Sequence, residues 1–135
     1  MTGGIHHLQF NVAPANLAFY RSLMTHLGWI VVYDDHDMLG CAATDSPQSV
    51  WFSPAADLAR PDRDGPGFNH IAFAAGSTIE VDAAGEWLRA RGVETEFETP
   101  RHRPEFSRNE QETYYQVMFT SPDGILVEIV YTGPK

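Results

Sequence analysis

The chain of 135 residues carries the same order of elements twice, and this repetition restricts the possible folds most strongly. One copy begins HLQFNV at His7, and the other begins HIAFAA at His70. In each copy a strand pattern precedes a polar turn, an amphipathic helix pattern, a glycine (Gly28 or Gly92) and further strand patterns. The sequence therefore predicts an α+β fold built from two strand-helix-strand-strand-strand modules.

Two helices are predicted from the spacing of apolar residues. The first begins after Asn16 and ends at Gly28, which supplies a left-handed stop. The second begins at Ser77, which has the spacing of a capping box with Glu80, and it ends at Gly92. Their predicted buried stripes are Leu17, Tyr20, Leu23, Met24 and Leu27, and Ile79, Ala83, Trp87 and Leu88.

The remaining pattern predicts one domain over 1–135, with module one at about 4–58, a linker at about 59–68 and module two at about 69–133. The linker is rich in Pro, Gly and Asp, and the polar stretch 100–113 is predicted to be a loop or lid. Further strands are predicted at 30–33, 38–43, 49–53, 94–98, 114–120 and 126–131.

Composition excludes several classes of function. The formal charge of −9, from 18 acidic and 9 basic residues, would repel a phosphate backbone and argues against nucleic acid as a partner. No apolar run reaches the roughly 18 residues of a membrane span, and the first residues lack a secretory signal pattern. Cys41 is the only cysteine, so a CxxC metal site is excluded and a reduced, cytoplasmic protein is predicted.

Alternation along the strands places polar residues on one face of each sheet. His7, Gln9 and Asn11 alternate with apolar residues that must pack under the helix, and His70 has the same position in the second module. In GILVEIVY, Glu128 falls on the face opposite the helix, and a carboxylate buried there needs a partner. Two interpretations remain open: a metal site, or ordinary hydrogen-bonded histidines with an ion-paired glutamate.

The stretches IHHLQFNV, LAFYRSLMTHLGW, NHIAFAA and YYQVMFTSPDGILVEIVY resemble the vicinal oxygen chelate superfamily, which includes glyoxalases, fosfomycin-resistance proteins, extradiol dioxygenases and bleomycin-resistance proteins. The resemblance implies paired modules whose mixed sheets curl around a metal-centred cavity. It implies His7, His70 and Glu128 as ligands of a divalent ion (Fe, Mn, Ni, Co or Zn). The position of a fourth ligand holds Trp51 or Ser53, neither of which replaces the Glu or Gln of glyoxalases.

Further site residues are predicted from face and charge. Gln9, Asn11 and Trp51 are candidate substrate contacts, and Arg103 would attract an anionic substrate to an otherwise acidic protein. Tyr114 and Tyr115 point to opposite sides of one strand, and Tyr115 is the candidate catalytic hydroxyl beside Glu128.

Three functions follow from the resemblance. The leading hypothesis is Lewis-acid catalysis of a lyase, isomerase or addition reaction on a small substrate with vicinal oxygens. The alternatives are an Fe(II) dioxygenase of the extradiol type built from a single module pair, and a metal-free protein that sequesters a drug or metabolite. A homodimer is expected, with the metal site either within one chain or shared between two.

Overall fold

The computed structural model describes residues 1–135, which form two compact units, Met1–Arg60 and Pro61–Lys135. Each unit has one helix and a four-stranded mixed sheet, which confirms the predicted α+β fold class. Neither helix is long and apolar enough to cross a bilayer. The elements are β1 (His7–Val12), α1 (Leu17–His26), β2 (Ile30–Asp34), β3 (Leu39–Ala42), β4 (Ser49–Pro54), β5 (His70–Ala74), α2 (Thr78–Ala90), β6 (Thr95–His102), β7 (Glu112–Thr120) and β8 (Leu126–Pro134).

Both sheets have the same topology. The strand orders are β1-β4-β3-β2 and β5-β8-β7-β6, and in each the first strand pairs in parallel with the last. This pairing places Gln9 opposite Trp51 in the first sheet and Ala72 opposite Glu128 in the second. Since Gln9 and Ala72 each lie two residues beyond the start of their strand, Trp51 and Glu128 occupy equivalent positions.

In the first unit, α1 covers one face of the sheet. The ring of Tyr20 stacks on Phe52 with centroids 4.5 Å apart, and Phe52 stacks on Phe10 at 5.8 Å. Four residues of the predicted stripe are buried, and Leu27 is half-buried. The buried four are Leu17, Tyr20, Leu23 and Met24.

In the second unit, α2 packs on its sheet through small residues, so the predicted stripe is largely wrong. Ile79 is 77% exposed, and the ring of Trp87 lies beneath the guanidinium of Arg91 at 3.9 Å. A Cβ added at Gly85 would come within 3.2 Å of Pro100, so the close approach depends on the absence of a side chain at position 85, which a pattern of apolar spacing does not register. The residues that α2 buries are Val81, Ala84, Gly85 and Leu88.

The predicted loop at 100–113 is partly strand. Phe97 and Glu98 adopt left-handed backbone angles, with φ of 58° and 57°, and the register of β6 against β7 shifts there. Pairing then resumes, with Arg101 opposite Gln116 and His102 opposite Tyr115. A local bulge therefore lets β6 continue through sequence that looks like loop.

Candidate functional site

The centre of the candidate site is a buried carboxylate in the second unit. Glu128 lies on β8, which is flanked by β5 and β7, and the residue is only 2% exposed. Its chain neighbours Val127 and Ile129 are buried on the opposite face. A carboxylate in such surroundings is stable only when its oxygens have partners.

Both oxygens of Glu128 have partners. The hydroxyl of Tyr114 donates to Oε1 at 2.7 Å. The amide of Gln116 is placed with its nitrogen toward Glu128, because it then donates to Oε1 at 2.6 Å and accepts from Arg103 Nη1 at 2.9 Å. The other oxygen, Oε2, lies 3.1 Å from Nε2 of His70. Two neutral donors therefore hold one oxygen, and the imidazole faces the other.

The facing atoms of His70 and Glu128 suit a cation. Nδ1 of His70 lies 2.7 Å from Oδ1 of Asn69, so Nε2 is the ring nitrogen that faces the carboxylate. An imidazole nitrogen and a carboxylate oxygen that both present lone pairs repel unless a proton or a metal ion lies between them. Neighbouring ligands at about 2.1 Å from an octahedral divalent ion stand roughly 3 Å apart, close to the observed 3.1 Å. The donor set therefore fits a divalent metal ion.

The guanidinium of Arg103 lies one amide away from Glu128. It donates through Nε to Glu105 at 2.7 Å, and it stacks over the ring of Phe106 at 4.8 Å. The hydrogen bond from Arg103 lowers the pKa of Glu105. A polar chain thus runs from Glu105 through Arg103 and Gln116 to the buried carboxylate.

Tyr114, and not the predicted Tyr115, is the tyrosine whose hydroxyl contacts Glu128. Tyr115 points toward α2 and donates to Asp82 at 2.7 Å, whereas Tyr114 reaches Glu128. The register explains this, because Met118 lies opposite Glu128 and Tyr114 shares the face of Met118. Burial, followed by the hydrogen bond and charge of Glu128, raises the pKa of Tyr114 to about 12. Tyr114 is therefore a neutral hydrogen-bond donor at physiological pH.

The remaining predicted residues lie in the first unit. His7, Gln9 and Asn11 are exposed on the sheet face opposite α1, and Nδ1 of His7 lies 2.9 Å from Nδ1 of His6. The indole nitrogen of Trp51 donates to Ser49 Oγ at 3.0 Å. Within a single chain, no group of three or more His, Cys, Asp or Glu side chains is placed to hold a metal ion. The structure thus brings together His70 and Glu128 of the predicted ligands.

Comparison with known proteins identifies the family. Residues 4–129 match the model of the Glyoxalase/Bleomycin resistance protein/Dioxygenase superfamily. The chain belongs to this superfamily. No match was found among curated proteins.

Solved structures of the superfamily share the fold. A candidate glyoxalase from Bacillus halodurans is 26% identical, with a TM-score of 0.79 and 96% of each chain covered. The fosfomycin resistance protein FosX from Listeria monocytogenes, solved with Mn(II) and sulfate, is 20% identical, with a TM-score of 0.67 and coverage of 97% of this chain and 91% of FosX. A glyoxalase/dioxygenase from Nostoc punctiforme is 21% identical, with a TM-score of 0.69 and coverage of 97% and 92%.

Sequence reasoning missed two polar residues of this superfamily member's site. Gln116 lies two residues from Tyr114 on β7, so alternation alone could have placed it on the face of Glu128. Asn69 directly precedes His70, a position from which its side chain could reach the ring. Amide side chains are not common ligands of transition-metal ions, so residue type alone does not mark Gln116 or Asn69 as part of the site.

A pocket in the second unit is lined in part by Tyr114, and neither His70 nor Glu128 is among its lining residues. It has a volume of about 320 Å³, and Phe106, Arg108 and Thr132 are among its lining residues. Tyr114 also lines the pocket while its hydroxyl contacts Glu128. A small molecule in this pocket would therefore lie beside the side chain that holds the carboxylate.

Proposed function

We propose that this superfamily member is a divalent-metal-dependent enzyme of the vicinal oxygen chelate type. It acts by Lewis-acid catalysis, as a lyase, isomerase or addition enzyme, on a small substrate with two adjacent oxygen atoms. The observation that carries the proposal is the 3.1 Å separation of His70 Nε2 and Glu128 Oε2. Each of these side chains is held by hydrogen bonds on its far side, so both atoms are already oriented for one cation.

His70 and Glu128 would hold the metal ion, with His7 as the third ligand. Two histidines and one carboxylate suit Fe(II), Mn(II), Co(II), Ni(II) or Zn(II). The Mn(II) in the FosX structure supports a divalent ion in this family. A bound ion of this kind supplies a Lewis acid that polarises a substrate oxygen and stabilises developing negative charge.

The protein's own side chains supply orientation and exclude water. Tyr114 and Gln116 both donate to Oε1, which fixes the plane of the Glu128 carboxylate and leaves Oε2 turned toward His70. The burial of Glu128 keeps bulk water from its oxygens. Tyr114 thus takes the role predicted for Tyr115, and its hydroxyl acts as a donor to Oε1 of Glu128.

Substrate contacts and assembly complete the proposal. Gln9, Asn11 and Trp51 would contact the substrate from the first unit, and Arg103 would attract an anionic group. We propose a homodimer, in which His7 reaches the ligands of the second unit either within its own chain or from a second copy.

Metal content per chain tests this proposal. Protein purified without an affinity tag or chelator is analysed by plasma mass spectrometry, together with His70→Ala and Glu128→Ala. His36→Ala and Glu94→Gln, which alter exposed side chains, serve as matched controls. We expect near-stoichiometric metal in the wild type and in both controls, and loss of metal in both site variants.

The other outcomes separate the alternatives. Iron as the bound metal, with oxygen uptake on a catechol, would favour the dioxygenase hypothesis. A wild-type protein that binds none of these ions on titration would overturn the metalloenzyme proposal and leave a sequestering protein as the better explanation.

A further inference from the structure

We propose that Asn69 is a positioning residue that fixes the tautomer of His70 and thereby keeps the space between His70 and Glu128 available to a cation. The role in metal binding rests on the proposed function above, whereas the effect on the tautomer stands on its own. Asn69 lies at the start of the predicted second module, directly before β5.

The amide of Asn69 can adopt only one orientation. Nδ2 donates to the backbone carbonyl of Arg63 at 2.9 Å, and Oδ1 lies 2.7 Å from Nδ1 of His70. The reversed amide would set two carbonyl oxygens against each other, because a backbone carbonyl cannot donate. Oδ1 therefore accepts from His70, so Nδ1 of His70 carries the proton.

The carbonyl that orients Asn69 is itself held in place. The guanidinium of Arg63 donates to Thr120 Oγ1 at 3.2 Å and to Glu96 Oε1 at 3.3 Å. It also lies 5.9 Å from the centre of the Phe97 ring. These contacts fasten the segment before β5 to the end of the second sheet. The position of Asn69 therefore follows from the folded sheet and does not depend on Asn69 alone.

The tautomer matters because His70 and Glu128 could otherwise satisfy each other. A neutral imidazole with its proton on Nε2 would donate to Oε2 across the observed 3.1 Å and close the site with an internal hydrogen bond. With the proton on Nδ1, Nε2 faces Glu128 and can hold either a second proton, which it then donates to Oε2, or a metal ion that takes the place of that proton. Asn69 thus removes a competitor of the metal ion.

The tautomer of His70 is measured in the metal-free full chain by long-range nitrogen-15 correlation spectra, in alkaline buffer where imidazoles are neutral. We expect the Nδ1–H form in the wild type. In Asn69→Leu, which removes both hydrogen bonds, we expect a shift to the Nε2–H form. In Asn69→Asp, one carboxylate oxygen can still accept from Nδ1 while the exposed side chain turns its other oxygen away from the Arg63 carbonyl into water, so the Nδ1–H form should persist. Asn109→Leu is the control, because Asn109 accepts only from backbone groups of its own turn and should leave the His70 signals unchanged.

Metal affinity gives the second readout, by calorimetric titration with Mn(II), Ni(II) or Zn(II). We expect Asn69→Leu to lower the metal affinity about tenfold. This is the lower end of the range for residues that orient a metal ligand, because Asn69 is exposed to water. Asn69→Asp should restore the affinity to within a few-fold of wild type. A wild-type Nε2–H tautomer, or an unchanged tautomer in Asn69→Leu, overturns the inference. A wild-type chain that binds no metal overturns the proposed function instead, while the spectra still decide the role of Asn69.

Discussion

The two units share a topology and differ on the sheet face that their helix leaves uncovered. In the second unit that face holds Glu128, which is buried, accepts hydrogen bonds from Tyr114 and Gln116 and faces the ring of His70. In the first unit it presents His7, Gln9 and Asn11, all exposed. The repeated fold therefore supplies two equivalent surfaces, and only one of them holds a buried, hydrogen-bonded carboxylate.

A single pair of positions accounts for much of this difference. Trp51 in the first sheet occupies the position of Glu128 in the second sheet. The residue opposite Trp51 on the next strand is Gly40, whereas the residue opposite Glu128 is Met118. The indole lies so close over Gly40 that an added Cβ would come within 2.5 Å of the ring. The first sheet thus has the pair Trp51 and Gly40 at the position where the second sheet has the pair Glu128 and Met118.

The largest expected effect concerns the contribution of the first unit. If His7 is a ligand, His7→Ala should weaken metal binding by more than about 100-fold, beyond the effect of losing a contact that only orients a ligand. The measurement is metal affinity by titration. Affinity at the wild-type level in His7→Ala would mean that the first unit contributes no ligand.

Mixing the His7→Ala and Glu128→Ala proteins then locates the site. After random reassortment of dimers, sites shared between copies would restore metal to about a quarter of all sites, because half of the dimers are mixed and each has one intact site. Sites within one chain would regain none.

A smaller effect is expected from filling the space above Gly40. Gly40→Ala should lower the free energy of unfolding by about 1–3 kcal/mol, because the Trp51 ring must move and lose its hydrogen bond to Ser49. Urea unfolding measures the change, with tryptophan fluorescence as a local probe. Gly4→Ala is the control, since the nearest atom to its added Cβ is 3.9 Å away. Equal stability of the two variants would refute the tight packing at Trp51.

Two neighbouring hydroxyls on β7 provide an effect of similar size and the smallest effect. Tyr114→Phe should cost about 1–3 kcal/mol, because it removes a donor from a buried carboxylate. Tyr115→Phe should cost less, since its hydroxyl binds Asp82 on an exposed surface. Urea unfolding of both variants provides the comparison, and a larger loss in Tyr115→Phe would contradict the assignment of Tyr114 to the site.

The Tyr115 contact also has a defined pH dependence. The hydrogen bond to Asp82 is the main cause that raises the pKa of Tyr115 to about 12, above the ordinary tyrosine value of about 10. A raised pKa in the folded state contributes stability that is complete below the unfolded value and is lost as pH rises through the folded value. The difference between wild type and Tyr115→Phe should therefore disappear between pH values of about 10 and 12.

Local patterns predicted the parts of the fold that depend on spacing alone. Leu17, Tyr20, Leu23 and Met24 follow one helical face, and they are buried as that spacing requires. Alternation in β5 and β8 placed His70 and Glu128 on the same face, where the structure brings them into contact. These properties depend on residue period, which the sequence displays directly.

The errors arise where tertiary contacts decide. The packing face of α2 was missed because Gly85 lets the helix approach the sheet, and glycine adds nothing to an apolar pattern. The choice between Tyr114 and Tyr115 needed the register of β7 against β8. The orientation of Asn69 depends on a backbone carbonyl of Arg63, which no pattern of side chains reveals.

The parallel pairing of β5 with β8 has a consequence for folding kinetics. His70 lies opposite Leu126, so strands 56 residues apart in sequence must meet before the histidine and the glutamate approach each other. In the first unit the equivalent pair, His7 and Ser49, is separated by 42 residues. Non-local pairings of this kind close late and slowly, because chain entropy opposes them before contacts compensate. β6 and β7 lie between these two strands in sequence but beyond β8 in the sheet, so His70 and Glu128 become neighbours only when the long connection between β5 and β8 closes.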